Sequence, residues 1–360
     1  MTTTLFEPFK LGQITLTNRV VMAPMTRCRA TPDHIPTPIM VDYYGQRAEA
    51  GLIVAEGTSP SPNGLGYARI PGLYTQAHVE AWRPVTEAVH ERGGHIFLQL
   101  MHTGRVSHPL NMPEGARILA PSAVGLEEQM WTDQEGLQPY PVPSAMNDED
   151  ILHTIEEYAT SAQLAIEAGF DGVELHGANG YLIEQFLNVA TNRRTDSLGG
   201  TVDNRARFAI VVAKAVSDRI GANRTGIRLS PYGVFNATTS DPDTDALYIH
   251  LAAAFRELEL AYVHIVDHSA MGAPEVPWSI KDAIREGFGG AIILSGGYDA
   301  ERANADLAAG RGQLVAFGRP FISNPDLVQR LKLGGSLTTP DDSTFYTPGE
   351  QGYTDYPLAD

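Results

Sequence analysis

The chain has 360 residues, 43% hydrophobic and 19% charged, which is the composition of a folded globular protein and excludes a disordered or fibrous one. Its 26 basic and 43 acidic side chains leave a formal charge of −17, which repels nucleic acid and anionic membrane surfaces as partners. The single cysteine, Cys28, has no mate for an internal disulfide.

The first eight residues lack the basic flank and apolar run of a signal peptide. No apolar stretch approaches the roughly 20 residues that cross a bilayer. A soluble, cytoplasmic protein is therefore expected.

In chain order, residues 5–20 hold two alternating stretches around a Gly12-Gln13 turn and are expected to form a hairpin on the floor of the fold. Val/Ile/Leu-rich runs then recur at 19–22, 52–56, 95–100, 172–176, 225–229, 262–266, 291–295 and 314–317. Several are near-continuous apolar runs, as in a parallel sheet covered by helices on its outer side. Thr37-Pro38 is expected to open a helix that runs to Gly51. Asn147 caps a stretch with Ile151, Ile155, Tyr158, Ala162 and Ile166 on one face, and Gly169 stops it. Asp299 and Asn324-Pro325 open the last two helices.

Eight β–α alternations favour a closed (β/α)8 TIM barrel, an α/β fold, over an open doubly wound sheet. The whole span 1–360 is expected to be one unit. Roughly 45 residues separate the third strand from Asn147, a length that marks a functional lid. The tail from Thr338 is rich in Gly, Pro, Asp and Tyr and is expected to fold back over the barrel mouth.

In such barrels chemistry sits where strands end. Those ends carry Ala23-Pro24-Met25-Thr26, Glu56-Gly57-Thr58, Gln99 with His102, the set His176, Asn179 and Tyr181, then Arg228, Gly296-Gly297 and Gly318-Arg319. Glycine pairs let backbone N–H groups approach a phosphate, and an arginine adds charge and a donor fork. Either pair alone reads equally well as a turn. Both at the ends of strands seven and eight, one with Arg319, favour phosphate.

His176 and Asn179 could aim two donors at one oxygen if the chain turns helically there, and Tyr181 adds a phenol that is protonated near neutrality. Each of the three also has a structural reading. Arg228 either faces an anionic ligand or pairs with Glu56 or Asp267.

Taken together, the motifs resemble the Old Yellow Enzyme family. Those that carry the resemblance are Ala23-Pro-Met-Thr-Arg27, the run from Gln99 to His108, Leu175-His-Gly-Ala-Asn-Gly-Tyr-Leu182 and Glu184-Gln-Phe-Leu187. With them go Asn192-Arg-Arg-Thr-Asp196, Asn204-Arg205, Arg228-Leu-Ser-Pro231, Ser295-Gly-Gly297, Phe317-Gly-Arg-Pro320 and Gly352-Tyr-Thr-Asp-Tyr-Pro357. They follow one another in family order along nearly the whole chain.

The resemblance implies non-covalent flavin mononucleotide (FMN) at the C-terminal face of the barrel and no metal. Thr26 would bond the flavin O4, Gln99 and Arg228 its pyrimidine edge, with Pro24, Met25 and Gly57 along the ring. Gly296, Gly297, Gly318 and Arg319 would hold the phosphate. NADPH or NADH would reduce the flavin. His176 and Asn179 would bind the carbonyl or nitro oxygen of an activated alkene, and Tyr181 would protonate its α-carbon.

Enones, enals and nitroalkenes are the implied substrates, with nitro compounds or nitrate esters as further ones, for a monomer or homodimer. The absence of a Gly-x-Gly-x-x-Gly turn after a strand agrees with there being no separate dinucleotide domain. Tyr67, Met101, Phe235 and Tyr353 would line the substrate site. Met101 stands where many relatives carry tryptophan, which implies a different pocket shape.

Three other readings compete. A phosphate-binding barrel could shuttle a proton beside a carbonyl with His176 or Glu56 as base, but this leaves Thr26, Gln99 and Arg228 unexplained. A barrel that binds flavin without turnover has no use for Tyr181 and His176. Metal hydrolysis lacks paired histidines on a helix.

Overall fold

Eight apolar runs become parallel strands because each presents side chains to the barrel interior on one face and to helices on the other. The computed structural model describes residues 4–358; positions 1–3 and 359–360 of the expected unit lie outside the described residues. The barrel strands are β1 (Val20–Met22), β2 (Leu52–Thr58), β3 (Ile96–Leu100), β4 (Gly172–Gly177), β5 (Thr225–Leu229), β6 (Tyr262–Val266), β7 (Ala291–Ser295) and β8 (Leu314–Phe317). They close in sequence order, with β8 returning to β1 through Phe317 opposite Met22.

Register sets the chemistry. Glu174 lies opposite Gln99, His176 opposite Arg228, and Arg228 opposite His264. Gly226 leaves room for the Tyr262 ring: a Cβ there would lie 2.3 Å from the ring carbon that bears the hydroxyl.

The predicted hairpin forms as Phe9–Leu11 against Ile14–Leu16. Leu11 and Leu16 join Val21, Leu52, Phe97, Ile293 and Leu314 in one apolar cluster, which plugs the barrel floor. Asn147 makes a reciprocal capping box with Asp150 at the start of the helix Asp148–Glu167, and Asp299 caps Ala300–Ala308.

Two helix boundaries differ from expectation. The helix opened by Pro38 ends at Gly45, not Gly51. The chain turns there because the fully buried Arg47 must reach across to the carbonyls of Phe321 and Ile322 at 2.8 and 2.9 Å. At the other end a short helix, Arg319–Ser323, follows β8 directly, and the last one starts at Leu327 after Asn324-Pro325. No described helix is long and apolar enough to cross a membrane.

The insertion after β3 carries an antiparallel hairpin, Gln129–Thr132 with Gly136–Pro139. The tail does fold back. Arg27 and Arg29, just past β1, donate to the carbonyls of Gly352 at 2.7 Å and of Thr344 and Phe345 at 2.9 Å, pinning it over the mouth.

Candidate active site

The C-terminal ends of the strands surround a cavity of about 1250 Å³ that the hairpin and the tail roof over. Arg69 ties these pieces together: its guanidinium pairs with Asp133 of the hairpin and donates to the carbonyls of Tyr346 at 2.9 Å and Cys28 at 3.2 Å.

The floor of the cavity is polar. Glu174, fully buried, accepts from Gln99 Nε2 at 2.9 Å and Tyr262 Oη at 3.0 Å, and meets His264 Nδ1 at 2.8 Å. Burial pushes its carboxyl up, but His264, Arg228 and Gln99 outweigh that and hold it below the usual range. The neighbouring cation is Arg228, buried on the cavity wall, with its Nε unpartnered. A buried donor of that kind is costly unless something accepts from it, so the floor is built for a polar ligand edge. Because Gln99 gives its amide N–H to Glu174, its carbonyl oxygen is left to accept from the same edge.

At the opposite wall Gly296 and Gly297 have φ of 140° and 61°. Gly318 opens the short helix that begins at Arg319, an exposed guanidinium that forms no ion pair with a described carboxylate. Pro24, Met25 and Thr26 line the wall between floor and glycines. A ring with one hydrogen-bonding edge and a phosphate at the far end of its chain meets this donor set, and FMN has that shape.

His176, Asn179, Tyr181, Tyr67 and Phe235 also line the cavity. His176 is held well below its ordinary pKa by burial and by Arg228, His264 and His268. The neutral ring accepts at Nδ1 from the Ala178 N–H at 3.3 Å, so its proton sits on Nε2. Tyr181 packs edge-on against it at 4.9 Å and shares a hydrogen bond with Tyr67, Oη to Oη 2.9 Å. Burial pushes the Tyr181 phenol up, which keeps it protonated.

The helical turn that would set His176 and Asn179 on one face is absent. Asn179 instead has φ of 59°, in the left-handed region that Asn tolerates, and the helix starts only at Leu182. Its N–H donates to Ser230 Oγ at 3.0 Å, its carbonyl accepts from Asn236 at 2.7 Å, and its Oδ1 meets His268 Nε2 at 2.7 Å. Arg228 pairs with neither Glu56 nor Asp267; the carboxylate acting on it is Glu174.

Three expected lining residues do not reach the cavity wall. Tyr353 is fully buried, stacked on Tyr43 with centroids 4.0 Å apart and covered by Arg27 and Arg29. The tail aromatics on the cavity are Phe345 and Tyr346. Met101 is buried and lies down against Gly57, where an added Cβ would come within 2.6 Å of its sulfur. The thioether thus fills the space beside Gly57, and neither residue lines the cavity.

The residues that sequence reasoning missed are His268, Tyr346 and the hairpin side chains Trp131, Leu137 and Tyr140, all on the cavity. Only His268 left a signal, as the polar residue just past β6.

A model of the NADH:flavin oxidoreductase / NADH oxidase family matches residues 4–337. A probable flavin mononucleotide-dependent alkene reductase of Leishmania infantum is 42% identical over 98% of this chain and 97% of its own. The 12-oxophytodienoate reductase 1 of Oryza sativa subsp. japonica is also 42% identical, over 98% of this chain and 93% of its own. The solved structure of morphinone reductase superposes with a TM-score of 0.96 at 45% identity, covering 100% of this chain and 97% of that one. A barrel of matching architecture, matched motifs in order and relatives of this identity agree: the chain belongs to the NADH:flavin oxidoreductase / NADH oxidase family, the Old Yellow Enzyme group that its motifs resemble.

Proposed function

We propose that the protein is an FMN-dependent ene-reductase that saturates the C=C bond of enones, enals and nitroalkenes at the expense of NADPH or NADH. The observation that carries this reading is the convergence of three hydrogen-bearing groups on one cavity: neutral His176, Asn179 and protonated Tyr181. FMN, when bound, would supply the redox chemistry, hydride transfer from a nicotinamide to the β-carbon.

The protein does the rest. Arg228 and Gln99 would hold the ring's polar edge, where the Arg228 cation would favour the reduced, more negative flavin. Thr26 would face the ring, while Gly296, Gly297, Gly318 and Arg319 would hold the phosphate. His176 Nε2–H and the Asn179 amide donate to the substrate oxygen, on which charge grows as the β-carbon is attacked, so their bonds strengthen in the transition state. Tyr181 gives its proton to the α-carbon, with Tyr67 placed at 2.9 Å to steer the hydroxyl. Nitro compounds and nitrate esters present a similar oxygen to the same donors. We infer one FMN-binding unit over 1–360, acting as a cytoplasmic monomer or homodimer.

The rim points to the rest of the substrate. Trp131, Leu137, Met271 and Tyr346 are exposed, large and apolar, and all border the cavity. Exposed apolar clusters of this kind mark binding surfaces. An enone with an alkyl tail should therefore bind tighter as the tail lengthens, by up to ~0.8 kcal/mol per buried methylene. Trp131→Ala combined with Leu137→Ser is expected to flatten that trend in KM while leaving a short enone unaffected. A KM that ignores tail length in the unmodified protein contradicts the assignment. The reading as a whole is tested by flavin content: the purified protein is expected to retain FMN or take it up, and to be bleached by NADPH and recoloured by an enone.

A further inference from the structure

Strand β6 is followed by Asp267-His268, which belongs to none of the motifs that place the cofactor or the substrate oxygen. Asp267 is an anchor. Its carboxylate accepts from buried Lys281 Nζ at 2.6 Å and from the Ser269 N–H at 2.9 Å, fixing the start of the loop. His268 thereby lies on the cavity, edge-on to Phe235 at 4.5 Å, with Nε2 2.7 Å from Asn179 Oδ1.

The backbone of Asn179 has no freedom left. Its N–H is held by Ser230 Oγ, which in turn donates to buried Glu184 at 2.8 Å, and its carbonyl by Asn236. The remaining variable is which end of the side-chain amide faces the cavity. With Oδ1 inward the site would set an acceptor against the substrate oxygen and repel it; with the NH2 inward it donates. His268 decides between them only if Nε2 carries a proton, because a donor there demands Oδ1 as its partner. Burial and Arg228 hold the His268 ring down at about 4, so near neutrality it is uncharged and adds no competing cation.

We propose that His268 is a positioning residue: by donating from Nε2 to Asn179 Oδ1 it locks the amide with its NH2 toward the cavity and so sets the affinity for a carbonyl, nitro or phenolic oxygen. The proposal rests on the ene-reductase reading for what that oxygen is, but not for the coupling itself. Donation into Oδ1 also polarises the amide, which strengthens the bond its N–H makes to the ligand.

The test is a double-mutant cycle read in binding. Calorimetric dissociation constants for 4-chlorophenol are measured on the FMN-loaded wild type, His268→Phe, Asn179→Ala and the double variant. Phe keeps an aromatic ring against Phe235 and removes only the donor. His268→Phe is expected to weaken phenol binding by about 2- to 13-fold, the range for one hydrogen bond. In the Asn179→Ala background the same change is expected to cost nothing further.

His268→Gln, whose amide can still donate, is expected to recover most of the affinity, and it serves as the second probe should the Phe variant fold poorly. Unchanged affinity in His268→Phe overturns the proposal. So does an equal loss with and without Asn179, or a Gln variant as weak as the Phe variant. Absence of enone turnover in the wild type would count against the ene-reductase reading alone, since the cycle is read without turnover.

Discussion

Tyr181→Phe is expected to slow enone reduction by roughly 10²–10⁴-fold while NADPH reduces the bound flavin at the unmodified rate. The substitution removes one hydroxyl and keeps the ring. The edge contact with His176 at 4.9 Å and the packing on Tyr67 survive, so the cavity keeps its shape. On the proposed reading, what is lost is the proton that goes to carbon rather than to oxygen.

The sign of the pH dependence follows from burial. The Tyr181 phenol lies above its ordinary value and the His176 ring well below its own, so the first stays protonated and the second neutral from about pH 6 to about pH 9. The single-turnover rate with an enone is therefore expected to be flat over that interval. Stopped-flow measurement of the two half-reactions checks both points. Equal slowing of both half-reactions removes Tyr181 as the proton donor, and a step near pH 6.5 in enone reduction contradicts the neutral His176.

The second large effect belongs to Arg228. Arg228→Leu is expected to weaken FMN binding by about 2–5 kcal/mol, roughly 30- to 5000-fold in Kd. Its guanidinium is buried with an unpartnered Nε, and the carboxylate acting on it, Glu174, is already engaged by Gln99, Tyr262 and His264. A cation in that position gains most when a ligand's polar edge closes on it. By linkage, the rise in Tm that FMN produces in the unmodified protein should largely vanish in the variant. Unchanged flavin affinity would mean that Arg228 serves the barrel floor and not the cofactor.

The sequence made the barrel legible because buried parallel strands are written as short continuous apolar runs, and seven of the eight barrel strands have every residue buried. Site residues at strand ends were legible for the same reason: once a strand's end is known, its last polar residue has one place to go, as with Gln99 and Arg228. Features set by distant packing were not. Nothing local says that Gly45 rather than Gly51 ends the first helix; that depends on Arg47 meeting carbonyls more than 270 residues away.

Tyr346 and Tyr353 look equivalent in the tail, and only the hold of Arg27 and Arg29 on its carbonyls turns one toward the cavity and buries the other. The left-handed Asn179 and its partner His268 come from different strands, and their meeting is a fact of three dimensions.

On this reading the cavity saturates an activated C=C bond. The most direct measurement is anaerobic incubation of the FMN-loaded protein with NADPH and 2-cyclohexenone, followed by product analysis. The account predicts cyclohexanone formed in step with NADPH consumed, the carbonyl intact. NADPH consumed only when oxygen is admitted, with the enone recovered unchanged, would contradict it.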